Sequence, residues 1–586
     1  MAKKEIEILI ILEKESETRK IYAKINEFCV QNNILLLNRF GRELYFVYGS
    51  FYKTRTRNQY FMQCEADLME KIMNADVIYF ELLDTLVSCK TLHYDDIELV
   101  RKRSNCLGEV RLNDLYVIRY KMKEIVQKCL MLNKKVYILD TIGLPEQEKN
   151  VSLTLLDLTD VNAIKTEEID WENISREKFM YVGGKKAAIK KFESYSNGRY
   201  FRILSVFEML SISSYREIVS EIDTLNERSM LGMFANRIFN NPFALFESFG
   251  KPTIVDLKDL GYTFIGPMMA QFVLWIIQKV EKGKFENILF SARDGYLIQK
   301  IYQMALLTLK KNELPRGIYF KTSRKLCINA GLEKASEIQG IAQQPIDGTP
   351  EEMLHNRFNL SMEDISKYNQ EKYNTPVLYS LAHKKEILKA ASECRKKYKT
   401  YIKQLNLREG RPYLFFDLCS CGTCQFYLNR ILPIDITGLY LCFYRSNERM
   451  RRRWKDELNY FSFYENEYGY DIKSNVYRDY NFMETFMTST ETSVISIDSN
   501  GKMIYAEDDR TMEELEYIKE MQESIFDFCK EYYQNMYVEG YGVNNHFLDK
   551  LYGFKSDKYT NKKCEILDRL VLRDEWVMRT KKIEKI

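Results

Sequence analysis

The chain has 586 residues, of which 45% are hydrophobic, and this length exceeds what one hydrophobic core accommodates, so several domains are expected. Its 87 Lys and Arg residues nearly balance its 83 Asp and Glu residues, which argues against the strongly basic surface typical of a nucleic-acid-binding protein. The 13 cysteines have no regular spacing and the 4 histidines are scattered, so we predict neither a disulfide framework nor a zinc site. A reduced, cytoplasmic protein is expected.

Strand-like runs rich in Ile, Val, Tyr and Phe alternate with long helical patterns. The predicted strands include Ile6–Leu12, Val77–Phe80, Val136–Leu139, Ile288–Ser291, Ile318–Lys321 and Leu414–Phe416. The first run contains Glu7 and is followed by Glu13 and Lys14, which indicates a buried strand and not a signal peptide. The apolar run Pro267–Val280 is shorter than the about 20 residues that span a bilayer, so no membrane span is predicted.

This alternation predicts an α/β fold with two Rossmann-like parallel-sheet domains and helical insertions. We expect a strand pair around Val494–Tyr505 and an amphipathic helix at Met512–Met536. The motifs divide the chain into an N-terminal α/β extension (1–69), a first domain (70–211), a helical connector (212–260), a second domain (261–510) with a helical insertion (345–407), and a C-terminal helical segment and tail (511–586).

The first motif is VIYFELLDTLV at Val77–Val87, a strand that ends in the carboxylates of Glu81 and Asp84. In open α/β sheets, ligands bind at the carboxyl ends of the strands, so this segment is a candidate site. The pattern alone fits equally well an ordinary strand followed by a helix that Asp84 and Thr85 cap.

The second group of motifs consists of three strand ends: FENILFSARDGYLIQKIY at Phe285–Tyr302, YFKTSRK at Tyr319–Lys325 and LFFDLCSCGTCQ at Leu414–Gln425. Parallel strands bring their carboxyl ends to one edge of the sheet. The side chains expected in a common crevice there are Arg293, Asp294, Ser323, Arg324, Asp417 and Thr423.

This crevice is predicted to bind a phosphorylated sugar or a nucleotide. Gly422 and Thr423 open a helix whose N–H groups and dipole favour phosphate, and Arg293 or Arg324 could clamp its oxygens. The alternative is that Arg293 and Asp294 form a structural ion pair. Glu484 either joins this site or makes a local cap or pair.

The order and spacing of the motifs, over about residues 70 to 540, resemble predicted haloacid-dehalogenase-type (HAD) hydrolases of bacterial surface-polysaccharide loci. That family has S-F-D-I-F-D-T-L at the first motif and F-L-A-R-D-G-Y at the turn Arg293–Gly295. Its Asp-x-Gly-x-x-Gly-Thr-x-Gln pattern is matched by Asp417, Gly422, Thr423 and Gln425, with Cys419 at the first Gly.

The resemblance implies that the first domain is HAD-like, with the nucleophilic aspartate replaced by Glu81. Asp84 and Asp140 match acidic positions, and a phosphate-balancing lysine is Lys185 or Lys186 in YVGGKKAAIKKF.

Two further functional groups of the family are missing. Leu139 stands where the family has a phosphate-binding serine, and Arg199–Met209 lacks the acidic pair that would bind Mg²⁺. We therefore expect a phosphatase fold without phosphatase activity, and we predict no cofactor beyond a potential Mg²⁺.

The second domain is also loosely similar to type I phosphoribosyltransferases, which makes transferase activity conceivable, although Asp417 follows two phenylalanines where those enzymes have an acidic pair. Three functions stay open: a polysaccharide-assembly protein that binds its ligand in the second domain, a non-catalytic adaptor for glycosyltransferases, and an active phosphohydrolase that uses an atypical glutamate. The 41 tyrosines would suit an adaptor surface.

Overall fold

The structure is a computed structural model. It describes residues 8–10, 28–29, 35–37, 63–102, 110–161, 163–246, 248, 250–252, 254, 256–444, 458–466, 474–555, 571–574 and 579–582. Most of the predicted N-terminal extension therefore lies outside the described residues. Of residues 1–69, the structure describes 8–10, 28–29, 35–37 and 63–69.

The strands are β1 (Ile8–Ile10), β2 (Leu35–Leu37), β3 (Val77–Glu81), β4 (Val87–Cys89), β5 (Tyr116–Ile118), β6 (Lys135–Asp140), β7 (Ala163–Lys165), β8 (Phe179–Gly183), β9 (Gly198–Arg202), β10 (Asn287–Ser291), β11 (Ile318–Phe320), β12 (Pro412–Ser420), β13 (Asp435–Tyr444), β14 (Tyr460–Asn466), β15 (Val494–Ile497), β16 (Met503–Tyr505), β17 (Val571–Asp574) and β18 (Arg579–Lys582). Each of the six predicted strands overlaps an observed one. The predicted pair at Val494–Tyr505 is the antiparallel hairpin β15–β16.

The α-helices are α1 (Glu65–Met73), α2 (Ile97–Arg101), α3 (Tyr120–Met131), α4 (Glu146–Leu156), α5 (Trp171–Ile174), α6 (Lys186–Glu193), α7 (Val206–Ile212), α8 (Leu225–Phe239), α9 (Leu257–Leu260), α10 (Gly266–Gly283), α11 (Tyr296–Thr308), α12 (Arg324–Gly331), α13 (Ala335–Ala342), α14 (Pro350–Phe358), α15 (Met362–Ile365), α16 (Pro376–Ala382), α17 (Lys384–Gln404), α18 (Thr423–Ile431), α19 (Asn475–Arg478), α20 (Tyr480–Met487), α21 (Met512–Glu531) and α22 (Asn545–Gly553). The helix predicted at Met512–Met536 is α21 followed by a short π-helix, Tyr532–Met536.

The chain divides into two compact units. Unit 1 comprises Met1–Pro267 and Glu531–Lys562, and unit 2 comprises Met268–Lys530 and Lys563–Ile586. Residues 212–260, the predicted connector, fall within unit 1, and helices α14 to α17 of unit 2 lie in the predicted insertion between β11 and β12.

Unit 1 contains a five-stranded parallel sheet in the order β7-β6-β3-β8-β9. All five residues of β3 are buried, because a central parallel strand is covered by other elements on both faces. Helices α7 and α8 begin with capping boxes, Ser205 with Glu208 and Thr224 with Glu227, which fix where these helices start.

Unit 2 contains a second five-stranded parallel sheet, in the order β11-β10-β12-β13-β14. Its central strands supply aromatic side chains to the interior, where Phe290 and Phe416 pack with ring centroids 5.6 Å apart. The predicted fold, α/β with two Rossmann-like parallel-sheet domains, is confirmed.

Each sheet has a topological switch point, the place where the chain reverses its direction of travel across the sheet. In unit 1 the chain runs from β3 outwards through β6 and β7, and then returns to β8 on the other side of β3. In unit 2 it runs from β10 to β11, and then returns to β12 on the other side of β10. Open α/β sheets bind ligands in the crevice at this point.

One continuous helical stretch, Leu257–Gly283, is long and apolar enough by length and composition to cross a bilayer. It is longer than the apolar run expected from the sequence. Of its apolar window, 83% is buried within the protein, as in the core helix of a globular domain.

Arg119 is a buried cation of unit 1 that no sequence motif indicated. Its side chain is fully buried, and burial lowers its pKa to about 10. Its guanidinium donates to the backbone carbonyls of Asp84 (2.6 Å), Leu204 (2.7 Å), Asn240 (3.2 Å) and Phe239 (3.4 Å). It thereby ties the loop after β3 to the start of α7 and the end of α8.

We expect Arg119→Met to destabilise unit 1 by about 3 to 5 kcal/mol, because it leaves buried carbonyl oxygens without donors. Urea unfolding of the full chain, with a probe in unit 1, measures this change. Arg111→Met is the matched control, since the Arg111 side chain is 87% exposed, and its effect should stay within about 0.5 kcal/mol. Equal midpoints for the two variants would contradict the role given to Arg119.

Candidate functional site

In unit 1, the carboxylate of Glu81 lies at the end of β3 and is only 1% exposed. Its Oε1 accepts a hydrogen bond from Thr141 Oγ1 (2.6 Å), and its Oε2 accepts from Tyr181 OH (2.9 Å) and Gly184 N (2.6 Å), with Thr85 Oγ1 at 3.5 Å. Burial raises the pKa of Glu81, and these donors oppose that rise. Glu81 is therefore a bound, buried group and not an exposed nucleophile.

The two glycines of YVGGKK allow this close approach. A Cβ on Gly183 would lie 2.6 Å from Glu81 Cβ, and one on Gly184 would lie 2.8 Å from the carbonyl oxygen of Ile203. The loop after β8 therefore reaches the Glu81 carboxylate because these positions carry no side chain.

Of the two carboxylates in the first motif, Glu81 and Asp84, Asp84 is the more accessible to solvent. Its backbone is in the left-handed region, with φ of 67°. Its backbone carbonyl oxygen accepts a hydrogen bond from the Arg119 guanidinium. Burial and the nearby Glu81 raise the pKa of Asp84 to about 6, while the Lys185 ammonium lowers it. Glu208, which the sequence analysis did not single out, adds a further negative charge near Asp84.

The helix-capping alternative for this segment is wrong. Asp84 and Thr85 are followed by the strand β4 and not by a helix. Lys185 is instead the residue that precedes a helix, at the N-cap of α6. Its ammonium interacts electrostatically with both Glu81 and Asp84.

Asp140 holds a loop. It is buried, and its carboxylate accepts from the backbone N–H groups of Ile142 (3.3 Å), Gly143 (2.9 Å) and Leu144 (2.9 Å). Leu139 belongs to the hydrophobic core of the sheet. Thr141, two residues after Leu139, supplies a hydroxyl that donates to Glu81. The sequence analysis did not single out Thr141, although it follows Asp140 directly.

These residues do not form a Mg²⁺ site. The Glu81 oxygens already accept protein donors and Asp140 is committed to its loop. Across the described ranges, no group of three or more His, Cys, Asp and Glu side chains could hold a metal ion.

In unit 2, three carboxylates share one environment at the switch point between β10 and β12. Asp294 is in the turn after β10, Asp417 is in β12, and Glu484 is on α20. All three are partly accessible to solvent. Electrostatic interaction couples them to one another and to the guanidinium of Arg324, which is exposed.

Burial and neighbouring carboxylates raise the pKa values of this cluster. Burial first, and then the charge of Asp294, raise the pKa of Asp417 to about 7, while Arg324 opposes the rise. Burial and Asp294 likewise raise the pKa of Glu484 to about 8. Burial also raises the pKa of Asp294, against the attraction of Arg293. Neighbouring carboxyls whose pKa values are raised towards neutral pH are typical of a functional site.

Arg293 is held by a protein segment, 488–494, which we name the strap. The Arg293 backbone has φ of 68°, and its guanidinium donates to Thr488 Oγ1 (3.2 Å) and to the hydroxyl of Ser493. Ser489 N donates to the Arg293 carbonyl at 3.2 Å. Arg293 therefore anchors the strap beside the crevice.

Ser323 also contacts the strap. Its hydroxyl donates to the carbonyl oxygen of Val494 (2.6 Å), and it caps α12 by accepting from Leu326 N (3.1 Å). To bind a ligand as predicted, the Ser323 hydroxyl would have to give up one of these two structural hydrogen bonds.

The segment after β12 turns at Gly422, whose φ is 80°, and α18 begins at Thr423 as predicted. Thr423 is buried, with Oγ1 3.3 Å from Cys421 Sγ. Gln425 is fully buried, and both ends of its amide are paired. Its Nε2 donates to the carbonyl oxygen of Asn459 (2.7 Å), and its Oε1 accepts from the hydroxyl of Tyr440. Gln425 therefore joins α18 to the sheet and does not face the crevice.

Gly295 is the N-cap of α11, and a Cβ there would lie 2.5 Å from the Ser291 carbonyl oxygen. Helices α11, α12 and α18 follow β10, β11 and β12, which are neighbours in the sheet, so their N-termini meet at the same edge. The positive ends of three helix dipoles thus lie at this edge of the sheet, which favours negative charge there.

Comparison with known proteins gives no assignment: the chain matches no family model and no curated protein.

We expect Asp417→Asn to stabilise unit 2 at high pH by about 2 to 4 kcal/mol and to have little effect near about pH 4. The folded carboxyl binds its proton more tightly than an unfolded aspartate, so its contribution to stability is present at low pH and is lost as the pH rises through about 7. Asparagine cannot ionise and avoids that loss.

Urea unfolding at a series of pH values measures the difference. Asp435→Asn is the matched control, because Asp435 is exposed at the start of β13. A stability difference between wild type and Asp417→Asn that is the same at every pH would contradict the titration assigned to Asp417.

Proposed function

We propose that the protein is a cytoplasmic component of bacterial surface-polysaccharide assembly. In this proposal unit 2 binds a phosphorylated sugar or a nucleotide in the crevice between β10 and β12, and unit 1 is a HAD-like scaffold without phosphatase activity. The observation that carries the proposal is the charged cluster of Asp294, Asp417, Glu484 and Arg324 at the switch point of the second sheet.

The position of the cluster supports a ligand site. Parallel α/β sheets bind small molecules where the chain reverses across the sheet, because the adjacent loops diverge to opposite faces and leave a crevice. The turn with Asp294 and the loop after β12, the strand that contains Asp417, border that place in unit 2.

The chemistry of the cluster supports a ligand with both anionic and hydroxyl groups. The exposed guanidinium of Arg324 and the N-terminal turn of α18 favour a phosphate. The carboxylates of Asp417 and Glu484 are acceptors for sugar hydroxyls. A phosphorylated sugar or nucleotide offers both kinds of group.

Three features of unit 1 support a scaffold that lacks phosphatase activity. Glu81 is buried and its two oxygens accept hydrogen bonds from protein donors. Leu139, at the family's hydroxyl position, lies in the core, and Asp140 holds a loop. The link to surface polysaccharide rests on the motif resemblance and not on these contacts.

We expect a ligand of the right class to raise the unfolding temperature of the full chain by about 5 °C at saturating concentration. A thermal-shift screen with nucleotides, nucleotide sugars and sugar phosphates measures this rise. Arg324→Gln should remove most of the rise, because it removes the exposed guanidinium of the crevice. The matched control is Arg316→Gln, an exposed arginine before β11, which should keep the full rise.

A rise that Arg324→Gln and Arg316→Gln lower equally would place the ligand elsewhere. No rise with any compound would favour the adaptor function instead, which predicts a stable protein complex and no small-molecule ligand.

We also expect wild type and Glu81→Gln to hydrolyse a generic phosphomonoester with Mg²⁺ at the same background rate, because Glu81 cannot reach a substrate. A colorimetric phosphatase assay compares them, with Glu193→Gln, an exposed carboxylate at the end of α6, as the control. A tenfold or greater loss in Glu81→Gln alone would show an active phosphohydrolase with an atypical glutamate.

A further inference from the structure

Unit 1 contains an open cleft that is distinct from the carboxylates of the first motif. Its volume is about 680 Å³, which lies within the range of about 300 to 1,000 Å³ typical of small-molecule sites. One wall is the segment Arg111–Asp114, which contains a short 3-10 helix and leads into β5. The other wall is a face of α4 with Gln147, Asn150 and Val151. Glu81 does not line this cleft.

A buried carboxylate joins the two walls. Glu148 of α4 is 6% exposed, and its Oε2 accepts hydrogen bonds from Tyr116 OH of β5 (2.6 Å) and from Tyr94 OH (2.9 Å). The other wall is closed by its own backbone, since Asp114 N donates to the carbonyl oxygen of Arg111 (2.9 Å). The cleft is therefore formed before a ligand binds, which lowers the entropic cost of binding.

The charges of the cleft balance. Its lining contains one guanidinium, that of Arg111, and one carboxylate, that of Asp114. The two groups form an ion pair, with 3.2 Å between Arg111 Nε and Asp114 Oδ2. A phosphate in the cleft would approach the Asp114 carboxylate and a cation would approach the Arg111 guanidinium, so like charges oppose either ligand. The lining therefore favours a neutral ligand.

Three primary amides supply the remaining polar groups of the cleft. They belong to Asn113 on one wall and to Gln147 and Asn150 on the other, and all three side chains are exposed. None of these amide groups makes a hydrogen bond to another described residue. An amide offers two N–H donors and one acceptor oxygen, so it can donate to one hydroxyl and accept from the next. Neighbouring hydroxyls of this kind are what a sugar ring presents.

The apolar part of the lining suits the same kind of ligand. Leu112 and Val151, one on each wall, are half-buried side chains of the cleft. A sugar ring carries C–H groups between its hydroxyls, and removing these from water against aliphatic side chains is favourable. A ligand with hydroxyls at its edge and C–H groups on its faces therefore matches both parts of the lining.

We propose that this cleft is a carbohydrate site, which binds a neutral oligosaccharide through the amides of Asn113, Gln147 and Asn150. Its function is binding and not hydrolysis, because glycoside hydrolysis ordinarily uses a pair of carboxyl groups and the cleft is lined by one. The inference goes beyond the proposed function, in which unit 1 is only a scaffold. It is also independent of the crevice in unit 2, since the two sites lie in different units.

The test is saturation-transfer NMR of the full chain with three neutral trisaccharides: maltotriose, cellotriose and triacetylchitotriose. We expect transfer to at least one of them, and inorganic phosphate should not reduce it. Asn150→Ala should raise the dissociation constant of that sugar about fivefold to tenfold, because it removes hydrogen bonds from one wall. Asn113→Ala should have a similar effect from the opposite wall, which guards against a folding defect in either variant.

The matched control is Asn173→Ala, which removes an exposed amide of α5 outside the cleft and should leave the dissociation constant unchanged. Equal dissociation constants for all three variants and wild type would place the sugar elsewhere and overturn the proposed site. Absence of transfer to every trisaccharide overturns it too, as does displacement of the sugar by phosphate. None of these results bears on the crevice of unit 2, which the thermal-shift screen tests with phosphorylated compounds.

Discussion

The structure of both units depends on one constraint of parallel sheets: the carboxyl ends of all strands meet at a single edge. Polar side chains that follow the strands gather there, and a carboxylate at that edge is partly removed from water. It must then find donors, bind a proton or bind a ligand, because a buried charge without compensation is strongly unfavourable. Glu81 of unit 1 and Asp417 of unit 2 meet this requirement in different ways.

Glu81 meets it with protein donors. The hydroxyl of Thr141 follows β6, the hydroxyl of Tyr181 belongs to β8 and the amide of Gly184 follows β8. One carboxylate at the end of β3 therefore links the carboxyl ends of β3, β6 and β8. The extra methylene of a glutamate, compared with an aspartate, carries the carboxylate further towards these donors. Glu81 is therefore a structural link between three strands. Arg119 stabilises the neighbouring loop, because its guanidinium donates a hydrogen bond to the backbone carbonyl oxygen of Asp84.

The sequence was sufficient for the fold class because the signals are local and strong. Apolar runs such as Val136–Leu139 are too short and too apolar to be surface helices, and they alternate with helical periods. The strands β8, β9, β13 and β14 were not among those named from the sequence. In β8 (Phe179–Gly183) a glycine weakens the strand pattern, and in β9 (Gly198–Arg202) a glycine and two arginines do so. The sequence also predicted that β10, β11 and β12 end at one sheet edge, and these three parallel strands are neighbours in the sheet of unit 2.

The orientation of individual side chains could not be predicted in the same way. Gln425 matches the motif as well as Asp417 does, yet its side chain is buried in the interior, where it donates to the backbone carbonyl of Asn459. Arg293 belongs to the most specific motif of the second domain, but its guanidinium binds hydroxyls about 200 residues later in the chain. Such long-range partners leave no local trace in the sequence.

The contrast between the two edges bears on which of them can exchange a ligand. At Glu81 every donor is supplied by the fold, so replacing one by a ligand group would leave a buried protein group unpaired. At Asp417 and Glu484 the carboxyls are partly accessible and titrate near neutral pH, so their charge can change without breaking the fold. This physical difference is the reason why we propose unit 2, and not unit 1, as the unit that binds a ligand at the carboxyl edge of its sheet.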